Sequence, residues 1–404
     1  MLTIPRHANT DIAPDDEPFW LAVRDKMKPM YTHTQLVNTR RGSAPIEVRD
    51  RIRSLVDLSL SYELDEYEPF RALKESGSSI EIRTGLASYF GADSDEIALM
   101  RNTMEGIATV LNGLALKPGD EILATNFCYD SNLAILRQRA KREGIVLKLV
   151  DLPFGVGSNA DIVKAFDDAI GERTKLISIP HVVANTGLVL PVAEISALAA
   201  ARGVFSFVDG AHSAGHIELS LKELGCDAFA ACLHKWMYGP RGTGFLYVKR
   251  ERIADIWPIF ASWSNKPVDS IEKFEEVGTV FKALPAAIPD MLVFNEAIGQ
   301  ANKSARLRHL RQLWAAPLRN EPRVRMLTDL DAAPGTSFGA FTIDGIENAD
   351  FARTMLEKFQ IGVRAFVVDE DHAKKGIHLS PGLANTSEEI ERFVAATRTI
   401  LARR

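Results

Sequence analysis

Between about residues 75 and 250 the apolar positions alternate between helical spacing and short unbroken runs. Helical spacing over Ile80 to Phe90 predicts one helix. Glu105-Gly106-Ile107-Ala108-Thr109-Val110-Leu111 opens another, ending near Lys117-Pro118-Gly119-Asp120. The pattern then predicts strands at Glu121 to Ala124, Val146 to Val150, Lys175 to Ile179, Val204 to Val208 and Gly244 to Val248. Helices fall between them at Asn132 to Glu143, Asn159 to Ile170 and Val192 to Arg202. Short apolar strands alternating with helices predict an α/β fold, a mostly parallel sheet flanked by crossover helices.

From Trp257 to Pro289 the texture becomes irregular. Beyond it stand a long polar helix (Phe294 to Leu313), a strand-like Gly339 to Ile343, a helix from Asp350 and a closing helix from Ser387. That tail reads as a smaller α+β domain. The expected partition is an N-terminal segment (1–35), a large domain (36–285) and a small C-terminal domain (286–404). No repeats, low-complexity segments or heptads interrupt it. In open sheets of this kind ligands collect at the carboxyl ends of the strands. Asp209, His181 and the residues around Asn126 fall at such ends.

Composition adds exclusions. With 46% apolar residues the chain can build a sizeable core. A net charge of −5 gives no electrostatic case for nucleic acid or an anionic membrane as partner. Three cysteines, Cys128, Cys226 and Cys232, make no disulfide framework and suit a reducing compartment. Met1 to Trp20 lacks the apolar core of a signal peptide, and no apolar run approaches membrane-spanning length. The expectation is a cytoplasmic protein.

Candidate chemistry centres on Lys235. It lies in Cys232-Leu233-His234-Lys235-Trp236, followed by Gly239-Pro240-Arg241-Gly242-Thr243-Gly244. Upstream, the strand Val204 to Val208 delivers Asp209-Gly210-Ala211-His212. Taken singly, each part is ordinary: a loop lysine is usually solvated, an Asp after a strand is often a turn residue, and glycines mark turns. Lys235, however, keeps apolar company in Leu233, Trp236 and Met237. An acid at the end of a buried strand and a lysine beside a glycine turn suit pyridoxal phosphate. The amine can hold the aldehyde as a Schiff base while the acid keeps the ring nitrogen protonated.

These segments, with Asn102-Thr103-Met104-Glu105-Gly106 and His181-Val182-Val183 followed by Gly187 and Pro191, resemble the class V aminotransferase family of fold-type I pyridoxal phosphate enzymes. The likeness is greatest to its isopenicillin N epimerase-like and cysteine desulfurase-like branches. Val277-Gly278-Thr279 and Leu383 to Glu389 match more weakly, and the resemblance runs from about Asn38 to the C-terminus. It implies that Lys235 carries the cofactor and Asp209 pairs with the ring nitrogen. Ala211 would lie against the ring, His212 near its oxygen, and Tyr129 would stack on it. Thr103, the Met104 amide, His234 and Cys232 would surround the phosphate at a helix N-terminus. Gly278 and Thr279 would reach the phosphate of a neighbouring subunit, implying a homodimer with shared sites.

Four positions depart from the family's pattern. Cys232 stands where Ser or Thr usually contacts the phosphate, and a thiol donates more weakly. Ala184 replaces an Asn, although Asn185 follows. No Cys exists after Cys232, whereas the desulfurase branch needs a nucleophilic one. His378 stands where an Arg usually grips the substrate α-carboxylate. Another cation must then take that role if the substrate keeps the group. The segment Asn38 to Arg41 borders the substrate entrance in the resembling family. The adjacent Arg40 and Arg41, by default a solvated turn, are preferred over Arg364.

His212 and His216 have a spacing that could bind metal, but no further strong ligand stands near, so no metal is expected. Gly239 to Gly244 is no nucleotide loop, because the lysine precedes the glycines. Asp369 to Lys375 mixes both signs of charge and reads as a surface loop. The sequence thus points to a pyridoxal phosphate enzyme breaking a bond to Cα of an amine or amino acid. Aminotransfer is preferred, followed by epimerisation and then C–S elimination. A catalytically silent binding relative ranks last while Lys235 and Asp209 are both present.

Overall fold

The computed structural model describes residues 11–29, 32–60, 79–152, 158–261, 265–330, 335–367 and 375–402. The predicted surface loop at Asp369 falls, except for Lys375, outside them, as does the start of the N-terminal segment. In chain order the strands are β1 (Thr34–Gln35), β2 (Ile97–Met100), β3 (Glu121–Thr125), β4 (Val146–Val150), β5 (Thr174–Pro180), β6 (Phe205–Asp209), β7 (Ala228–Cys232), β8 (Gly244–Val248), β9 (Val324–Met326), β10 (Gly339–Ile343), β11 (Ile361–Gly362), β12 (Arg364–Val367) and β13 (Lys375–Leu379).

Seven of them form one sheet in the order β2-β8-β7-β6-β5-β3-β4. Only β8 runs against the rest, pairing antiparallel with both neighbours. Helices cover both faces, so the central strands are apolar on both sides, as parallel sheets require. Alternate residues divide between two cores: Phe229, Ala231 and Phe245 on one face, Ala228, Ala230 and Leu246 on the other. Each fully buried Phe contributes roughly 1.5–3 kcal/mol by leaving water.

Every strand predicted between residues 121 and 248 is present, with ends shifted by a residue or so. Two others, β2 and β7, escaped the pattern. β7 reads Ala-Phe-Ala-Ala-Cys, whose small residues carry little strand propensity. Their smallness has a packing reason. The helix Thr103–Gly113 lies so close to β7 that a Cβ on Gly106 would come within 2.8 Å of the Ala230 Cβ. The predicted long helix Phe294 to Leu313 is two helices, Ile288–Ile298 and Gln300–Arg319, separated at Gly299 with φ of 84°. A glycine tolerates that left-handed backbone, where other residues are strained.

The C-terminal part builds an antiparallel sheet, β12-β13-β10-β9, packed on the helices Gln300–Arg319 and Ser387–Ala402. Its boundaries differ from the expected partition at two places. Ile288, Met291 and Leu292 sit in a core of the seven-stranded sheet. Leu36 packs instead with the C-terminal core. The reason is backbone pairing: β1 runs parallel to β11, and Asn38 N–H donates to the Ser380 carbonyl at 2.8 Å. The stretch after β1 is thereby strapped to the C-terminal sheet. Among the described residues no helix is long and apolar enough to cross a membrane.

Candidate active site

The carboxyl ends of β5, β6 and β7 open onto a cavity of about 590 Å³. Asp209 ends β6 and is buried. Its Oδ1 accepts from the Ala211 N–H and its Oδ2 from the Asn132 side-chain amide, both at 3.0 Å. Burial raises its carboxyl above the usual range, opposed by the Ala211 amide, the Lys235 charge and Asn132. A buried carboxylate so placed is suited to a cationic partner that returns what desolvation costs.

Lys235 follows β7 in a turn fastened from several sides. Gly239 N–H donates to the Leu233 carbonyl and Leu233 N–H to Thr243. Asn295 and the wholly buried Lys303 hold the carbonyls of Met237 and Trp236. Gly42 N–H donates to the His234 carbonyl, and a Cβ at Gly42 would lie 2.4 Å from the Lys235 carbonyl. Lys235 Nζ stands 3.3 Å from His212 Nε2. Burial and the Lys235 charge hold His212 well below its ordinary value, so its imidazole is neutral and can accept from the amine.

The other end of the cavity is an anion cradle. Asn102 caps the helix Thr103–Gly113, accepting from Glu105 N–H at 3.0 Å. Thr103 Oγ1 and His234 Nδ1 are both buried and without a hydrogen-bond partner. Buried polar atoms are normally paired. Two orphans beside free helix amides fit a phosphate, whose oxygens would satisfy both. Cys232 lines the same wall. Burial alone would raise its thiol, yet the neighbouring Lys235 charge and His234 bring it below the usual value. Tyr129, half exposed, and Ala211 complete the expected surroundings of a ring.

The expected substrate contacts divide. Arg40 lines the cavity together with Thr39, whereas Asn38 and Arg41 do not. His378 is not a cavity residue either. It is wholly buried, with Nε2 on Thr39 Oγ1 at 3.0 Å and Nδ1 on the Asn185 carbonyl at 2.8 Å. Burial holds it neutral, down to about 3. Both ring nitrogens are committed to scaffold, so His378 does not replace the expected Arg as a ligand in this arrangement.

Directly across the strand pair, in register with His378, stands Arg364. It lines the cavity, and its Nη2 donates to Asn185 Oδ1 at 2.7 Å. The sequence favours the adjacent Arg40 and Arg41 over Arg364 because two neighbouring guanidiniums could hold a large or doubly charged acid; the pairing of Arg364 with position 378 depends on β12 and β13, which the apolar pattern does not display. Asn132 was missed outright; its spacing from Asp209 carries no local signal. Gly278 and Thr279 are exposed and lie off the cavity of a single chain.

The family model for aminotransferase class V matches residues 74–393. The chain belongs to the class V aminotransferase family. It is a pyridoxal phosphate-dependent enzyme of that family, with the mostly parallel sheet of fold-type I. Isopenicillin N epimerase of Streptomyces clavuligerus is 30% identical over 332 residues, covering 78% of this chain and 83% of that protein. A probable cysteine desulfurase of Pseudomonas aeruginosa is 30% identical over 319 residues, covering 74% and 77%. Among solved structures, the cystine C–S lyase C-DES bound to its product cysteine persulfide aligns with a TM-score of 0.79 at 26% identity, covering 91% of this chain and 97% of that one.

In this class V member the residues present fit the cofactor. Thr103 and the free amides of its helix, with His234 from the turn after β7, would hold its phosphate, Asp209 its ring nitrogen, and Lys235 its aldehyde carbon. Once bound, pyridoxal phosphate supplies an electron sink for charge that develops at Cα.

Proposed function

We propose that the enzyme is an aminotransferase: Lys235 moves the Cα proton of an amino acid, the amino group passes to a 2-oxo acid acceptor, and the donor leaves as its keto acid. The observation that carries this reading is the pairing, in a single cavity, of the Lys235 amine with a guanidinium that has no carboxylate partner among the described residues. Lys235, beside neutral His212, is placed to take and return a proton. Arg364, whose partner Asn185 is uncharged, is placed to hold the substrate carboxylate.

Thiol chemistry is poorly supported. All three cysteines are buried and none follows Cys232, which alone of them lines the cavity, at its phosphate end. Burial pushes the thiols of Cys128 and Cys226 up to about 12, far from the thiolate a sulfur-accepting nucleophile needs. Epimerisation is the second reading. It is favoured by the likeness to isopenicillin N epimerase across four-fifths of that protein, and by Tyr129 as a further proton donor on the cavity wall. We assign the active form to a cytoplasmic homodimer, with exposed Gly278 and Thr279 of one subunit directed to the phosphate of the other.

The test combines two experiments on the holoenzyme. Borohydride reduction and peptide mapping should label Lys235; a label on another lysine overturns the site. A panel of L-amino acids with a 2-oxo acid acceptor should yield the corresponding keto acid. Formation of the D-enantiomer without keto acid transfers the assignment to epimerisation, and released sulfide transfers it to C–S cleavage.

A further inference from the structure

Arg40 and Arg364 line one cavity yet reach it from different parts of the chain. Arg40 sits just beyond the strap that follows β1, and Arg364 begins β12. We propose that the site selects amino acids bearing a second acidic group on the side chain, with the α-carboxylate on Arg364 and the distal acid on Arg40. The proposal rests on the Cα chemistry above and names its substrate class.

The argument is one of unmatched charge. Arg364 is partly buried, and its described partner is the neutral Asn185 amide. Arg40 is exposed at the cavity rim. Among the described residues neither guanidinium has a carboxylate within ion-pair distance. Burial first, then the Arg40 charge, lowers the Arg364 value. Tyr129 and Asp130 act in the opposite direction, and Asp130 lines the same cavity without an ion pair to either arginine.

Two like charges converging on one cavity cost free energy until anions arrive. A carboxylate held bidentate by one guanidinium has only its outer lone pairs left for a second, so two guanidiniums on different segments are better matched by two acid groups. Depth fixes the order. The more buried Arg364, aimed by Asn185, suits the group beside Cα. Exposed Arg40 suits the far end of a side chain. His378 contributes as a positioning residue, because its bond to the Asn185 carbonyl holds the residue that aims Arg364.

Amine-free acids separate this from catalysis. Calorimetric titration of the holoenzyme compares the linear dicarboxylates succinate, glutarate and adipate with butyrate. At least one dicarboxylate should bind about ten- to a hundred-fold more tightly than butyrate, as a further charge-assisted contact implies. Arg40→Gln should abolish that preference and leave the cofactor spectrum unchanged, while Arg41→Gln should keep it. The proposal is overturned if no dicarboxylate is preferred, or if the preference survives Arg40→Gln. Amino acids that perturb the cofactor spectrum while dicarboxylates gain nothing would sink the substrate class alone. Dicarboxylate preference with no spectral response to any amino acid would uphold the two-anion site and sink the Cα reading.

Discussion

Replacing Arg364 by Gln isolates the carboxylate contact from the rest of the site. The guanidinium has one described hydrogen bond, to Asn185 Oδ1 at 2.7 Å. Its partial burial works against its charge. Losing that bond costs roughly 1 kcal/mol, and relief of desolvation offsets it, so the melting temperature should move by no more than about 2 °C. Binding should respond far more. A hydrogen bond between charged partners contributes about 1.5–3 kcal/mol, or roughly ten- to a hundred-fold in affinity. The assay follows the absorbance of the bound cofactor during titration with norvaline and with n-butylamine, which lacks the carboxylate. Norvaline affinity should fall by that factor in Arg364→Gln, with butylamine unchanged. Equal losses for both ligands, or none for norvaline, would refute the assignment.

Two further outcomes follow from packing and burial. Gly106→Val drives a branched side chain into Ala230, and overpacking of this kind costs about 1–3 kcal/mol; it should lower the urea midpoint and loosen pyridoxal phosphate, because the helix it shifts carries Thr103, and a wild-type midpoint would contradict the contact. Burial holds His181 down to about 4 and His216 and His378 down to about 3, against an ordinary value of 6.5. The unfolded chain therefore protonates these rings first, and the stability present above about pH 6.5 is lost as pH falls toward the folded values. Each ring contributes about 1.4 kcal/mol per pH unit to that decline. Urea unfolding of the apoprotein at pH 7, 6 and 5 should show it; a flat profile down to pH 5 would mean these rings are not held neutral.

The alternating helices and strands of residues 121–248 were legible because each strand is a short apolar run bounded by turn residues. Asp209 and Lys235 drew attention by their places at the end of an apolar strand and beside a glycine turn, whereas Thr103 and His234 entered only through the family resemblance. β7 was not, since its alanines are chosen for the closeness of a helix that sequence does not display. The break at Gly299 was hidden because the polar pattern runs through it. The substrate end of the cavity was least legible. His378 and Arg364 are 14 residues apart in sequence, and the register of β12 against β13 puts them side by side on one face; only the contacts there, Thr39 and Asn185 around His378, show that one is buried scaffold while the other lines the cavity.

The strap between β1 and β11 divides the labour of the site mechanically. Lys235 and Asp209 belong to the body built on the seven-stranded sheet. Arg40 and Arg364 both belong to the C-terminal body, one directly and one through the backbone bonds at Asn38 and Ser380. The two bodies are also tied to each other at the site, since Gly42 N–H donates to the His234 carbonyl and Asn185, after β5, holds both Arg364 and His378. A ligand holding its amine on one body and its acids on the other acts as a crosslink between them. Its length must therefore match a span that these bonds already set.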